Sequence, residues 1–299
     1  MDQAGLETFE QFVNGAERSI RGDKIRIMFN MGVPMLVEAH LQRGSALDHS
    51  NLLVFQDSTP QSDAIFGGRI RVSTGLVDAI MNDPLDPYGT VYADVAANLV
   101  GDLDSSWRLF VPFGWILLHE FVHGMHQHSE AERRAKKIIA PNLESQATER
   151  DADLVAVAMV YRHLQRLSWH FRLNIEDDCL RSIIYLYLHR LLAHIPTEQS
   201  GSHPPAAVRL FHLFAKLVTL AVVPGELPDV GVERQETKDR SARMHSLVRM
   251  PCWDVRGWSH ENIEHDFPSP IIAQWEAMKD DVGDLSAQLI HDIKSARES

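Results

Sequence analysis

Apolar residues recur at intervals of three and four along most of this chain, which predicts a mainly helical protein, and alternate strictly only in short stretches. Phe9, Phe12, Val13, Ala16 and Ile20 mark a first amphipathic helix, broken at Arg21-Gly22-Asp23. Lys24 to Phe29 then alternates as a strand would, while Met35 to Leu41 reads as helix. Leu52-Leu53-Val54-Phe55 is a short apolar run, and after a polar loop Gly67-Gly68 leads into Arg69-Ile70-Arg71-Val72-Ser73. The two runs predict a β-hairpin with a long connection, its second strand half in water. Leu76 to Met81 forms a helix stopped by Asp83-Pro84 and Asp86-Pro87, because proline disfavours helix in the residue before it.

The longest apolar approach in the chain, Phe113 to Leu118, predicts a helix from about Pro112 to His128. A charged stretch, Ser129 to Lys137, follows as a solvated segment. The next helix starts near Glu144, and its residues Leu154 to Val160 are apolar all round, so it is expected to be buried. Helical spacing returns from Cys179 to Ala193 and from Pro205 to Val222, separated by the loop Pro196 to His203. Val230 to Ser246 is mostly polar and reads as a linker or a surface segment. Trp253, Trp258 and Phe267 are expected to pack the tail back onto the body, and Ile271 to about Ala296 is a final amphipathic helix. The expected division is residues 1–225 as one domain and 226–299 as an extension packed on the same body.

Composition changes this picture little. The 299 residues are 44% hydrophobic and 23% charged, as in ordinary globular proteins. A formal charge of −12 argues against a general nucleic-acid or anionic-membrane binder, since both need a basic face. Cys179 and Cys252, far apart, indicate neither a disulfide framework nor a thiolate metal site. The first residues do not resemble a signal peptide, and charged or histidine residues such as Arg190, His194 and Lys216 interrupt the apolar segments well short of a membrane span. A cytoplasmic protein without membrane insertion is expected; nothing in the sequence fixes its oligomeric state.

The candidate chemistry sits in His119-Glu120-Phe121-Val122-His123, at the end of that apolar approach. On a helix, histidines four residues apart share one face and can grip one zinc ion. Glu120 lies about a hundred degrees round the helix and is free to act as a general base on water. His126 and His128 follow, but His126 would stand ~10 Å along the axis from His119, so the pair reads as surface residues or as supports behind the ligands. A metzincin would need glycine at His126 and histidine at Ser129.

Glu149, in Glu149-Arg150-Asp151-Ala152-Asp153 on the next helix, is the better third ligand. A His-His-Glu set leaves a fourth position for water. Asp153, one turn on, can accept the second ring N–H of a ligand histidine.

Four blocks together resemble the gluzincin peptidases of the HtpX and CAAX prenyl endopeptidase family, and the Lit-type peptidases related to them. These are Asn51 to Phe55 with Gly67 to Leu76; His119-Glu120-x-x-His123 with His128; Glu149-x-x-Ala152-Asp153; and His203-Pro204-Pro205 with Arg209. Val122 replaces the glycine usual in the HtpX branch, whose membrane helices are absent here. The resemblance implies an α+β, mainly helical fold, with a gluzincin-like core and a short antiparallel sheet or hairpin packed on the two ligand helices. It implies zinc on His119, His123 and Glu149, Glu120 as catalytic base, Asp153 as the residue orienting a ligand, and His203 and Arg209 near the site.

Physically, His203 or Arg209 could stabilise an oxyanion, or His203 could rest on the metal's open position. The expected function is a zinc-dependent metalloendopeptidase acting on a protein or peptide substrate. The substrate would pair with the open edge of the strand Arg69-Ile70-Arg71-Val72, where the arginines favour acidic side chains. The alternative is a non-catalytic zinc-binding effector with a closed metal site.

Overall fold

Burial follows the helical period more strictly than the letters suggest. A computed structural model describes residues 6–16, 19–44, 47, 51–65, 69–82, 89–135, 142–194, 203–221, 230–248 and 269–298. Strand β1 (Leu6–Thr8) runs into helix α1 (Phe9–Gly15), whose start is fixed by a capping box between Thr8 and Gln11. Helix α2 spans Ile20–Gln42, capped by the Ser19 hydroxyl, which accepts from the Gly22 N–H at 3.1 Å.

The strand expected over Lys24 to Phe29 is therefore absent. Ile25, Met28, Phe29, Gly32, Val33, Leu36 and Ala39 are all buried, a period near 3.6 that the alternating arginine and lysine obscured. Pro34 sits inside this helix, at an exposed position.

A four-stranded mixed sheet follows, in the order β1-β2-β4-β3. Strand β2 (Leu52–Phe55) pairs antiparallel with β1 and parallel with β4 (Arg69–Ser73), with Leu52 opposite Ile70 and Val54 opposite Val72. Strand β3 (Ser62–Ile65), inside the stretch read as a polar loop, pairs antiparallel with β4. The expected hairpin of β2 with β4 is thus replaced by a parallel pair. The expected open edge is also overturned: β4 is hydrogen-bonded on both sides and cannot add a strand. Arg71 is engaged within the sheet, donating from Nε to Asp63 Oδ1 at 2.8 Å and lying over the Phe55 ring. Among the described strands, β3 forms the outer edge on this side. Gly67 and Gly68 lie outside the described residues.

Helices α3 (Thr74–Asn82) and α4 (Gly89–Val100) lead into α5 (Asp104–Met125), which starts about two turns before the expected Pro112, carries that proline in its interior and stops short of His128. Helices α2 and α5 approach closely because each presents a glycine. A Cβ on Gly32 would come within 2.7 Å of the Phe113 ring, and one on Gly114 within 2.4 Å of Met35 Sδ.

Helix α5 is capped by His126, and Gln127 in the left-handed region (φ 49°) reverses the chain into α6 (His128–Arg134). The solvated segment expected after His128 is thus partly helix, with His128 and Ala131 buried. Helix α7 (Leu143–His170) packs against α2, α5, α6 and α9. Helices α8 (Asp177–His194) and α9 (Ala206–Thr219) complete this layer.

The polar segment expected to be a linker is helix α10 (Val230–Val248). It buries Met244 and Val248 in the main core, and Arg240 donates to the Val218 and Leu220 carbonyls at the end of α9. Helix α11 (Ser269–Glu298) rests Met278, Val282 and Leu285 on Ala131 of α6 and Ala147 of α7. Trp253, Trp258 and Phe267, expected to pack the tail down, lie outside the described residues. No helix among the described residues is long and apolar enough to cross a membrane.

Candidate metal centre

Helix α5 carries His119 and His123 one turn apart, and α7 packs beside it with Glu149 facing them. Three donor atoms converge. His119 Nε2 lies 3.1 Å from His123 Nε2 and 3.2 Å from Glu149 Oε2, and His123 Nε2 lies 3.3 Å from Glu149 Oε1. Nitrogen and oxygen donors held ~2.0–2.1 Å from one tetrahedral ion stand ~3.3–3.4 Å apart, so the spacing fits a single cation. The donor chemistry fits as well, with two imidazoles and a carboxylate. Glu149 Oε2 is also a buried polar atom with no aligned hydrogen bond despite two nitrogens within 3.2 Å.

Electrostatics separates charge across this group. Burial by itself would lower the His119 pKa and raise that of Glu149; their mutual attraction, with Asp153 behind, reverses both. His119 rises to about 10 and Glu149 is held well below the usual carboxylate range. An ionised Glu149 is the form a cation requires.

Each histidine is backed on its other side. Asp153 Oδ1 lies 3.0 Å from His119 Nδ1. Arg209 holds Asp153 with both arms of its fork, Nε to Oδ2 at 2.8 Å and Nη2 to Oδ1 at 2.7 Å. The guanidinium also lies over the Trp115 ring at 5.4 Å. Against burial, Arg209 and His119 hold the Asp153 carboxyl below its ordinary pKa.

His123 Nδ1 meets His128 Nδ1 at 2.9 Å, and His128 Nε2 faces Asp151 Oδ2 at 3.1 Å. Burial lowers the His128 pKa to about 4. His126, His128 and Asp151 also bring three potential donor atoms within 4.8 Å of one another.

Glu120 is buried between the two histidines in sequence, and its Oε1 accepts from the Ser62 hydroxyl of β3 at 2.8 Å. His203 is half exposed and sets Nδ1 2.7 Å from Glu149 Oε2. Arg209 corrects the expectation of an oxyanion group: it is buried, and its fork is taken up by Asp153 behind the histidine. Arg69 to Val72, in the sheet interior, do not offer the substrate edge expected of them.

Ser62 and Asp151 escaped the sequence reading. Nothing local marks Ser62. Asp151 stands two residues from both Glu149 and Asp153, so one helical face cannot hold all three; it is buried because α6 folds back on that side.

A family model described as Peptidase U49 matches residues 109–221, somewhat over a third of the chain. The match runs from α5 through α9 and includes both histidines, Glu120, Glu149, Asp153, His203 and Arg209. It supports a peptidase, and of the resemblances read from the sequence it coincides with the Lit-type one. Neither the curated proteins nor the solved structures contain a match to the chain.

Proposed function

We propose that the chain is a zinc-dependent metalloendopeptidase, with His119, His123 and Glu149 as the metal's ligands and Glu120 as the catalytic base. The observation that carries this reading is the convergence of the three donor atoms at 3.1, 3.2 and 3.3 Å, inside the region matched by a peptidase family.

Zinc held there supplies Lewis acidity that makes water a nucleophile near neutral pH. Glu120 takes a proton from the attacking water on its carboxylate and returns it to the amine that leaves. Ser62, donating to Oε1, fixes which way that carboxylate points. Asp153 steers the His119 ring, with Arg209 keeping the aspartate ionised. The substrate is a protein or peptide in extended form, and the outer edge of β3, which carries Ser62, is the strand nearest the base. The catalytic unit is residues 1–225, with 226–299 as an extension packed on it, in a cytoplasmic protein.

A second reading rests on His203. Its Nδ1 lies at hydrogen-bond distance, 2.7 Å, from Glu149 Oε2, and a shift of the ring onto the ion would close the site as a fourth ligand, as in a structural zinc centre. The half exposure of this side chain favours an openable site instead. Metal analysis separates the readings: on the peptidase reading His203→Ala retains one zinc per chain and its fold, whereas loss of zinc or unfolding supports the closed, non-catalytic centre. Glu149→Ala should lose the zinc on either reading; if it keeps parental zinc affinity, the ligand assignment fails.

A further inference from the structure

Histidine is an ambiguous ligand until something decides which ring nitrogen carries the proton. For His119 that partner is Asp153. We propose that His128 and Asp151 are positioning residues for His123, a relay that fixes the tautomer presenting the Nε2 lone pair to the metal. The inference rests on the assignment of His123 as a ligand through Nε2.

The proton positions follow link by link. A neutral His123 with its lone pair on Nε2 carries its hydrogen on Nδ1. That N–H faces His128 Nδ1 at 2.9 Å, which must accept. His128, accepting on Nδ1, carries its own hydrogen on Nε2 and donates to Asp151 Oδ2 at 3.1 Å. Every link then has one donor and one acceptor, and the series ends on a buried carboxylate. His126 Nδ1, 2.5 Å from the same oxygen, braces Asp151 from the other side. The left-handed turn at Gln127 makes this possible, since without it His128 would continue along α5 away from His123.

His126, His128 and Asp151 could themselves be taken for a second metal site, and the geometry argues against it. Two donors on one ion with ~2.0–2.1 Å bonds stand ~3.3 Å apart, whereas His126 Nδ1 and Asp151 Oδ2 are at 2.5 Å, a hydrogen-bond distance. A cation on His128 Nε2 would also move the His128 proton to Nδ1, against the N–H of His123. Arg150 and Lys216 act electrostatically on Asp151, and their positive charges further oppose a cation there.

The test is zinc affinity by competition with a chromophoric chelator, with zinc content counted at saturation. It uses the full-length parent, Asp151→Ala, Asp151→Asn, His126→Ala and Glu149→Ala. Circular dichroism and metal-free melting identify any variant that fails to fold; should Asp151→Ala do so, the isosteric Asp151→Asn decides. We expect one zinc per parent chain and affinity about 10- to 100-fold weaker in Asp151→Ala. Asp151→Asn, which keeps an acceptor without the charge, should fall between, and His126→Ala, which removes a brace on Asp151 but no link of the relay, should weaken affinity less than Asp151→Ala.

Cobalt substitution adds a spectroscopic readout. The visible band of the cobalt form should shift more in Asp151→Ala than in His126→Ala. Parental affinity in both folded Asp151 variants overturns the relay while Glu149→Ala, losing zinc, upholds the ligand assignment. Two zinc ions per parent chain, with one lost in His126→Ala, overturn it in favour of a second metal site. A parent that binds no zinc overturns the relay and the assignment together.

Discussion

At the scale of single residues the site is governed by what stands behind the proposed ligands. Arg209 and Asp153 are both buried and joined by two hydrogen bonds, an arrangement in which removing one partner leaves an uncompensated charge in the interior. Arg209→Ala should therefore lower the stability of the metal-free protein by ~3–5 kcal/mol in urea unfolding. Arg209→Lys should recover only part of this, because an ammonium cannot reproduce the planar fork. A loss indistinguishable from zero in Arg209→Ala would mean the pair contributes nothing net. The presence of Arg209 near the site was legible from its motif. The direction of its side chain was not, since that is set by Asp153 and Trp115, which come from two other helices.

Elements show where sequence patterns mislead. Helix α2 hid its period because basic residues alternate with isoleucine over Lys24 to Ile27, and burial against α5 overrides that local alternation. Strand β3 was invisible because Ser62-Asp63-Ala64-Ile65 has little apolar content, yet its pairing with β4 removes the open edge assumed for Arg69 to Val72. By contrast, α7 announced itself through its unbroken apolar run, and α5 through Phe113 to Leu118.

The tight crossing of α2 and α5 makes a sharp prediction. Gly32→Ala forces a methyl group to within 2.7 Å of the buried Phe113 ring, so calorimetry or urea unfolding should show a loss of ~1–3 kcal/mol. On an open helix the same change would stabilise, because alanine is the better helix former. A stabilised Gly32→Ala protein would show that the helices can part at no cost.

Across the whole molecule the charge pattern predicts a two-stage response to acid. Burial lowers the pKa of His40, whose ring lies 4.6 Å from that of Phe121, and of His212, each to about 4. An unfolded histidine titrates near pH 6.5, so between about 6.5 and 4 the unfolded chain binds protons that the folded chain refuses. This contribution to stability is full above pH 6.5 and is lost as the pH falls towards 4.

The carboxylates act lower down. Asp151, held at about 2 against burial by His126 and His128, stabilises the fold above its unfolded pKa of 3.8 and loses that contribution as the pH falls towards 2. Melting temperatures of the metal-free protein should decline from pH 6.5 to 4.5, and replacing His40 and His212 together by phenylalanine should flatten the slope over that range. An unchanged slope would mean the two histidines do not carry it.

At this same scale the catalytic reading stands or falls on Glu120. The most direct measurement is an unbiased comparison of the new N-termini produced in a proteome by the zinc-loaded protein and by Glu120→Gln. The two should bind zinc equally, because Glu120 is not a ligand in this account, and the general base is worth about 10²- to 10⁴-fold in rate. A discrete set of cleavages should appear with the parent and disappear with Glu120→Gln. Identical cleavage by both proteins, or none by a fully zinc-loaded parent, would contradict it.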